Sequence, residues 1–360
     1  MSQIKCPQCG GFLTYEPGTT HLKCPHCKTE VPIEQSETVV EELDFGSHLD
    51  QMLAESEVEE TPHHLCSGCG AQIHFPPNVT AERCPYCTGP IVLDQAQSRK
   101  AIKPRYLLPF KTAAQEINAL FKGWIKSLWF APSDLKRLAR TGKGVTGIYV
   151  PYWTYDAHTT TEYRGLRGDT YMEPERYVTM QDGREVIESR MVPKIRWTPA
   201  NGLVNVSFDD VLVMASKSLP PAYARMLEPW DLENLVEYDE RYLSGFLAES
   251  YQVGPRQGFD NARARMQDEI MVAVSADIGG DAQQIQSVKT AYDAITFKHL
   301  LMPVWISAYK YRGKLYRFLV NARTREIQGE RPWSTIKIVL AVLGAIFAMF
   351  CLSYFWGEVH

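Results

Sequence analysis

Two stretches of the sequence hold residues able to do metal chemistry: CPQCGGFLTYEPGTTHLKCPHC, Cys6 to Cys27, and CSGCGAQIHFPPNVTAERCPYC, Cys66 to Cys87. In each, two CxxC pairs flank a fourteen-residue gap, and a glycine follows the first pair. Eight of the nine cysteines lie here; the ninth, Cys351, lies in an apolar run near the other end. One CxxC turn brings two thiolates to a single ion, and a second completes a tetrahedral all-sulfur shell that suits zinc. A unit of this size buries too little apolar surface to fold alone, and metal binding can make good the deficit. The spacing and duplication therefore predict two closed zinc ribbons, with ligands Cys6, Cys9, Cys24 and Cys27 in one and Cys66, Cys69, Cys84 and Cys87 in the other.

Three other chemistries compete for the same cysteines. Disulfides need an oxidising compartment, yet the start MSQIKCPQCG has no apolar core of a secretory signal. A rubredoxin-type iron site also uses two CxxC pairs, usually with a longer gap. A redox CxxC would more naturally open a helix in a βαβ unit.

The ribbons must be positioned by the rest of the chain. Residues Ile338 to Trp356, IVLAVLGAIFAMFCLSYFW, carry no charge. A helix of nineteen residues spans roughly 28 Å, close to a hydrocarbon core of ~30 Å. Trp333, Tyr354 and Trp356 flank it as an interfacial belt would, and Lys337 can snorkel at its edge. Arg323, Arg325, Arg331 and Lys337 precede it while GEVH follows, so the positive-inside rule predicts a tail-anchored, single-pass protein of the inner or plasma membrane with its bulk in the cytoplasm.

Length and charge bound the remainder. The 360 residues carry 38 Lys and Arg against 42 Asp and Glu, and ten of the acids fall between Glu34 and Glu60, where no Lys or Arg occurs. Such a block reads as a flexible spacer, within which Leu49, Met52 and Leu53 could line one side of a short helix. The predicted organisation is ribbon one at 1–33, acidic linker at 34–62, ribbon two at 63–93, linker at 94–106, a cytoplasmic α+β domain at 107–332, and a transmembrane helix at 336–356.

In the middle region, Lys111 to Lys122 has helical apolar spacing, and Ser133 is a candidate cap for DLKRLAR. Gly147 to Thr161 is β-rich, GLVNVSFDDVLVMAS reads as a strand pair, and Gly254 to Val274 as a helix with Ala262, Met266, Ile270 and Val274 on one face. A final β tract covers Ile285 to Ile327. Pro151-Tyr152-Trp153 recurs as Pro303-Val304-Trp305, and Tyr163-Arg164-Gly165 as Tyr311-Arg312-Gly313, each after a helical segment, which suggests an α-then-β unit used twice. FKGWIKSLWF, Phe121 to Phe130, reads as core packing.

No constellation of catalytic residues stands out, so the chain is not expected to be an enzyme. TGKGVTG lacks the P-loop arrangement, because Gly144 stands where Ser or Thr must reach magnesium. Asp209, Asp210 and Asp281 lie beside permissive turns and are the remaining hydrolase candidates. Lys136, Arg137, Arg140 and Lys143 form a basic cluster that reads as a solvated helix face.

The sequence resembles a bacterial family of membrane-anchored double-zinc-ribbon proteins, often labelled as like primosomal protein N′ (replication factor Y), a superfamily II helicase. The stretches that carry the resemblance, beside the ribbons, are LLPFK at Leu107, LWFAP at Leu128, GIYVPYWTYDA at Gly147, RWTPANGLVNVSFDDVLVMAS at Arg196, ADIGGDAQQI at Ala276 and FKHLLMPVWISAYKY at Phe297. The resemblance implies two zinc ions held by the eight cysteines. It does not carry helicase activity over, because there is no Walker A loop and FDDV is no Walker B without one. Similar proteins accompany SPFH-domain and PspA-type membrane-stress proteins, which implies a membrane-tethered adaptor that docks protein partners. The rival reading, a nucleic-acid-binding ribbon protein, needs Lys and Arg for phosphate; Lys5, Lys23, Lys28 and Arg83 are few against ten neighbouring carboxylates.

Overall fold

The computed structural model describes residues 4–34, 40–47, 58–74, 81–92, 97–132, 134–135, 144–181 and 184–357. The chain is β-rich α+β, as the sequence predicts, with both four-cysteine clusters towards its N-terminus. Ribbon one is a three-stranded sheet of β1 (Thr14–Tyr15), β2 (His21–Lys23) and β3 (Glu30–Pro32). After it come β4 (Leu43–Asp44), β5 (Val58–Leu65), β6 (Gln72–His74), β7 (Ala81–Arg83), β8 (Pro90–Val92), β9 (Gln97–Ile102) and β10 (Tyr106–Leu107). Helix α1 (Ala114–Ser127) leads into two long strands, β11 (Thr146–Gln181) and β12 (Arg184–Met214). Short helix α2 (Pro221–Met226), β13 (Val236–Glu237) and β14 (Leu247–Glu249) precede the long helix α3 (Pro255–Ile278). Strands β15 (Ala282–Tyr311), β16 (Lys314–Asn321) and β17 (Ile327–Gly329) end at helix α4 (Thr335–Gly357).

The spine is the antiparallel triplet β12–β11–β15. GLVNVSFDDVLVMAS, expected as a strand pair, forms a single strand, because its register with β11 is carried through a bulge at Tyr155–Ala157 rather than broken by a turn. Up to Phe208 its apolar residues Val204, Val206 and Phe208 share one face, and beyond the bulge Leu212, Val213 and Met214 are buried on both faces.

The recurring PxW segments have a structural meaning. Val150 pairs with Met302, flanked by Pro151 with Leu301 and Tyr149 with Pro303. The two segments thus sit symmetrically about one cross-strand pair. Each belongs to a helix followed by a hairpin: α1 with β11–β12, and α3 with β15–β16. Trp305 is buried in one cluster with Ile117, Phe121 and Ile125 of α1, while Trp153 is buried with Phe259, Ala262 and Met266 of α3. Each helix therefore covers the tryptophan of the other unit.

FKGWIKSLWF is core packing in large part. Phe121, Ile125 and Leu128 are buried, whereas Trp129 is 79% exposed.

Part of the acidic block is ordered strand rather than flexible spacer. Strand β4 pairs with β15 through Asp44–Thr296 and Leu43–Phe297, and Phe45 lies against Tyr155, Phe259 and Phe297. Three apolar residues, Val40, Leu43 and Phe45, explain why: they pack against the core, while Glu42 between them meets Thr296 and Lys298. The proposed helical face of Leu49, Met52 and Leu53 lies outside the described residues, as do Ser133, Lys136, Arg137, Arg140 and Lys143.

A partly buried polar cluster lies beside β4. Lys298, 4% exposed at its side chain, pairs with Glu42 at 3.0 Å and Asp210 at 2.7 Å, and the Thr296 hydroxyl lies within hydrogen-bond distance of both Glu42 and Asp156, at 2.7 and 2.8 Å. The hydrogen bond with Asp156 pulls Glu42 down to about 2. Burial, and then that same bond, push Asp156 up to about 6. An ordinary aspartate titrates near 3.9, so folding takes up a proton on Asp156 between about pH 4 and 6. The stability this contributes is present at the acid end and declines as pH rises through that window. Glu42 acts oppositely, its contribution being lost only as pH falls from about 4.3 towards 2. Asp156→Asn is therefore expected to be more stable than wild type by on the order of 1 kcal/mol at pH 7, with the difference vanishing near pH 4. Paired thermal melts across pH 4–8 measure it, since metal-site protonation cancels in the difference.

The N-terminus of α4 is fastened at one end of the spine. Ser334 N–H donates to Phe130 O at 2.8 Å, and Lys337 Nζ donates to Ala131 O at 2.8 Å. Among the described residues no helix is long and apolar enough to cross a membrane. The side chains of α4 are described as far as Cys351, so the expected span at 336–356 runs beyond them.

Candidate metal centres

All four CxxC segments fold into the same knuckle. In the first, Gly10 N–H donates to Cys6 O at 2.9 Å and Cys6 N–H to Gly11 O at 2.6 Å. Cys24 repeats this with Lys28 and Thr29, Cys66 with Gly70 and Ala71, and Cys84 with Thr88 and Gly89. The residue after each second cysteine is left-handed, with φ of 70° at Gly10, 64° at Lys28, 76° at Gly70 and 62° at Thr88. Glycine is favoured there for conformation rather than for space, since a Cβ on Gly10 or Gly70 would meet nothing within 4 Å.

Knuckles so built point sulfurs at a common centre. Cys6 Sγ lies 3.5 Å from Cys27 Sγ, and Cys9 Sγ 3.5 Å from Cys24 Sγ. In the second site the distances are 3.5 Å for Cys66–Cys87 and 3.6 Å for Cys69–Cys84. Four thiolates ~2.3 Å from one ion define a tetrahedron with edges of about 3.8 Å, so both sets fit a closed shell. The cysteines are free rather than disulfide-bonded, and all eight expected ligands are brought together in two groups of four.

The two shells differ in setting. Cys9 and Cys27 are exposed at the outer side of site one. The Thr29 hydroxyl and backbone bring Cys27 down to about 6. In site two, the hydrogen bond from Cys84 brings Cys69 down to about 5. Each site thus offers a thiolate near neutral pH to a first incoming cation.

Neither ribbon is a free knob. Tyr15 of β1 sends its hydroxyl to Phe110 O at 3.2 Å and its N–H to Ser244 O at 2.9 Å, and Leu13, Leu22 and Ile33 share a buried cluster with Phe110, Tyr149 and Trp305. Ribbon two joins the main sheet where β6 pairs with β14. Its knuckle residue Tyr86 is fully buried and donates to Glu249 at 2.5 Å, a carboxylate that also accepts from Ser216 at 2.8 Å and from Ser218. Burial pushes Glu249 up to about 7, so three hydroxyl donors hold a group that costs little to keep neutral. Sequence reasoning missed these seats. The signal available was the difference between CPHC and CPYC: a tyrosine inside a knuckle has a polar tip that must find a partner when buried.

Of the carboxylates considered for hydrolysis, Asp210 pairs with Lys298 and Asp281 accepts from Thr170 N–H at 2.7 Å, whereas Asp209 lies with Glu42 and Asp156 in a group of three carboxylates close enough together to hold a metal ion.

No family model matches the chain, and no solved structure matches it. The sequence is 23% identical over 337 residues to the uncharacterized protein YdjG of Bacillus subtilis (strain 168). That match covers 93% of this chain and 91% of that protein.

Proposed function

We propose that the protein is a zinc-ribbon adaptor tethered to the bacterial inner membrane by α4, docking protein partners at the cytoplasmic face in an SPFH- or PspA-type envelope-stress assembly. The observation that carries the reading is the pairing of two four-sulfur clusters with a helix whose apolar side chains, among the described residues, stand largely exposed. A shell with every position filled by cysteine leaves no open site for catalysis and serves to hold shape. Zinc is the ion that best suits four thiolates in a tetrahedron. Along α4, Ile336, Leu340, Phe347 and Phe350 are all more than 60% exposed, an arrangement that costs free energy in water and none in lipid. Trp129 and Trp333 stand exposed where the helix begins, as residues at a headgroup layer do.

A nucleic-acid role is less well supported. Lys23 is bound to Glu16 at 2.9 Å and Glu30 at 3.4 Å, and Lys28 to Pro25 O at 3.0 Å, so two of the basic groups of ribbon one are paired within the ribbon.

The expected outcome in cells is recovery of the full chain in the carbonate-resistant membrane pellet, with about two zinc ions per chain after detergent extraction. Affinity capture from those membranes should return a defined partner protein, and Cys9→Ser should lose that partner without leaving the membrane. Recovery of the chain in the supernatant, or undiminished partner capture by Cys9→Ser and Cys69→Ser together, defeats the reading.

A further inference from the structure

Strand β15 begins at Ala282, opposite Gly168 of β11, and α3 ends at Ile278. Beyond that level β11 and β12 continue alone as a two-stranded arm, pairing from Asp169–Arg196 to Gln181–Arg184. Thirteen residues per strand give the arm a length of about 43 Å. An isolated two-stranded ribbon is marginal in water and needs a face to pack on.

The register sorts the side chains onto two unlike faces. One carries Tyr171, Glu173, Glu175 and Tyr177 opposite Lys194, Val192, Arg190 and Glu188. It satisfies itself: Lys194 pairs with Glu173 at 2.8 Å, Arg190 with Glu175 at 2.9 Å, and Tyr177 donates to Glu188 at 2.8 Å. The other face aligns Trp197, Ile195, Met172, Met191, Val178 and Ile187. Ile187 is 70% exposed and Val178 61%, and nothing among the described residues covers them. An apolar strip of this length exceeds the scattered hydrophobics of an ordinary surface.

Each edge of the arm is interrupted by a proline. Pro174 pairs with Met191, and Pro193 with Met172. Proline has no N–H to give the ladder, so both must stand where that group would point outward, which removes donors from the two free edges. Contact is therefore made through the apolar face.

Lipid is the wrong occupant for that face. The start of helix α4 is fastened to the carbonyls of Phe130 and Ala131, and Ala131 packs with Tyr311 at the far end of β15, whereas the arm leaves the opposite end of the spine. The level of Gly168 is ~70 Å along the strands from that of Thr146, and the tip another ~40 Å beyond it. The strip also carries one Arg176 and one Glu185, so it offers no net charge to anionic headgroups. Its length matches itself. Two such strips, each about 43 Å by ~10 Å, stacked as packed sheets ~10 Å apart, bury on the order of 1,000 Å² in all, the size at which specific association begins. We infer that the apolar faces of two arms, from two copies of this chain, stack on one another and make the protein a dimer through its arms. A two-fold axis makes a face of one composition its own partner.

Sedimentation of the detergent-extracted full chain should give a dimer, and Ile187→Lys or Met191→Lys should weaken self-association roughly tenfold or more by burying a charge. Thr179→Lys, on the paired face, should leave it unchanged, and all three variants should keep the zinc content and circular dichroism of wild type. A monomeric wild type, or a dimer indifferent to Ile187→Lys and Met191→Lys, overturns the inference. A photo-crosslinking residue at position 178 in cells gives a second test. An adduct of twice the chain mass supports the arm dimer; an adduct with lipid or with a protein of another mass overturns it.

Discussion

Stripping the metal from the full chain is expected to lower its melting temperature by at least about 10 °C, and to loosen the central sheet together with the ribbons. A structural zinc shell releases about 10–16 kcal/mol in an isolated ribbon peptide. Here apolar residues of the ribbons are also the floor of the domain. Leu22 and Ile33 lie against the cluster of Phe110 and Trp305, and Ile73 against that of Leu108 and Leu300. A ribbon that opens leaves those residues bare, and a loss of several kcal/mol moves the transition of a domain this size by roughly 2–4 °C for each. Cys24→Ser, whose side chain is fully buried, should bind one equivalent of metal fewer and melt as low as the half-stripped chain. Hydrogen exchange reads the coupling directly, since the Tyr15 and Leu108 amides should lose protection together. A chelated chain with an unaltered melting curve would show that the ribbons are bystanders to the fold.

Trp153→Ala is the single substitution in the spine expected to cost most, about 3–5 kcal/mol. The ring is wholly buried among Tyr251, Phe297 and His299, and its indole N–H donates to Val253 O at 2.8 Å. Removing it opens a cavity and leaves that carbonyl without its donor. Trp305→Ala should cost a similar amount, because it occupies the matching place in the other α-then-β unit and donates to Thr112 O at 3.2 Å. Trp129→Ala, at an exposed position, should change stability by less than about 0.5 kcal/mol. Denaturant melts of the three variants test the ranking, and equal effects at Trp129 and Trp153 would refute it.

The metal ligands were fully legible because CxxC spacing is a local code: each knuckle is closed by hydrogen bonds within six residues, and none of its geometry depends on distant chain. Strand and helix types in the middle region were legible for the same reason, from period-two and period-3.6 patterns. What was not legible is long-range. Nothing in EELDF says that Leu43 will pair with Phe297 across more than 250 positions, so charge dominated the reading of that segment and three apolar residues were outvoted. Likewise GLVNVSFDDVLVMAS holds a bulge where a turn was expected, since FDD has turn composition but sits within a ladder that β11 extends on both sides. The left-handed φ of 52° at Asp210 is what remains of that turn signal.

The matching of the two helix-plus-hairpin units has a consequence for how the arm arose. In the second unit the chain reverses at Arg312 and Gly313, directly after the shared core; in the first it runs on past the corresponding level and reverses far outside. The extra length is an addition to one of two like units, and lengthening it by one residue on each strand keeps every existing pair in register. Because it touches neither cysteine shell nor either tryptophan, descent could lengthen, shorten or repaint it without refounding the fold beneath.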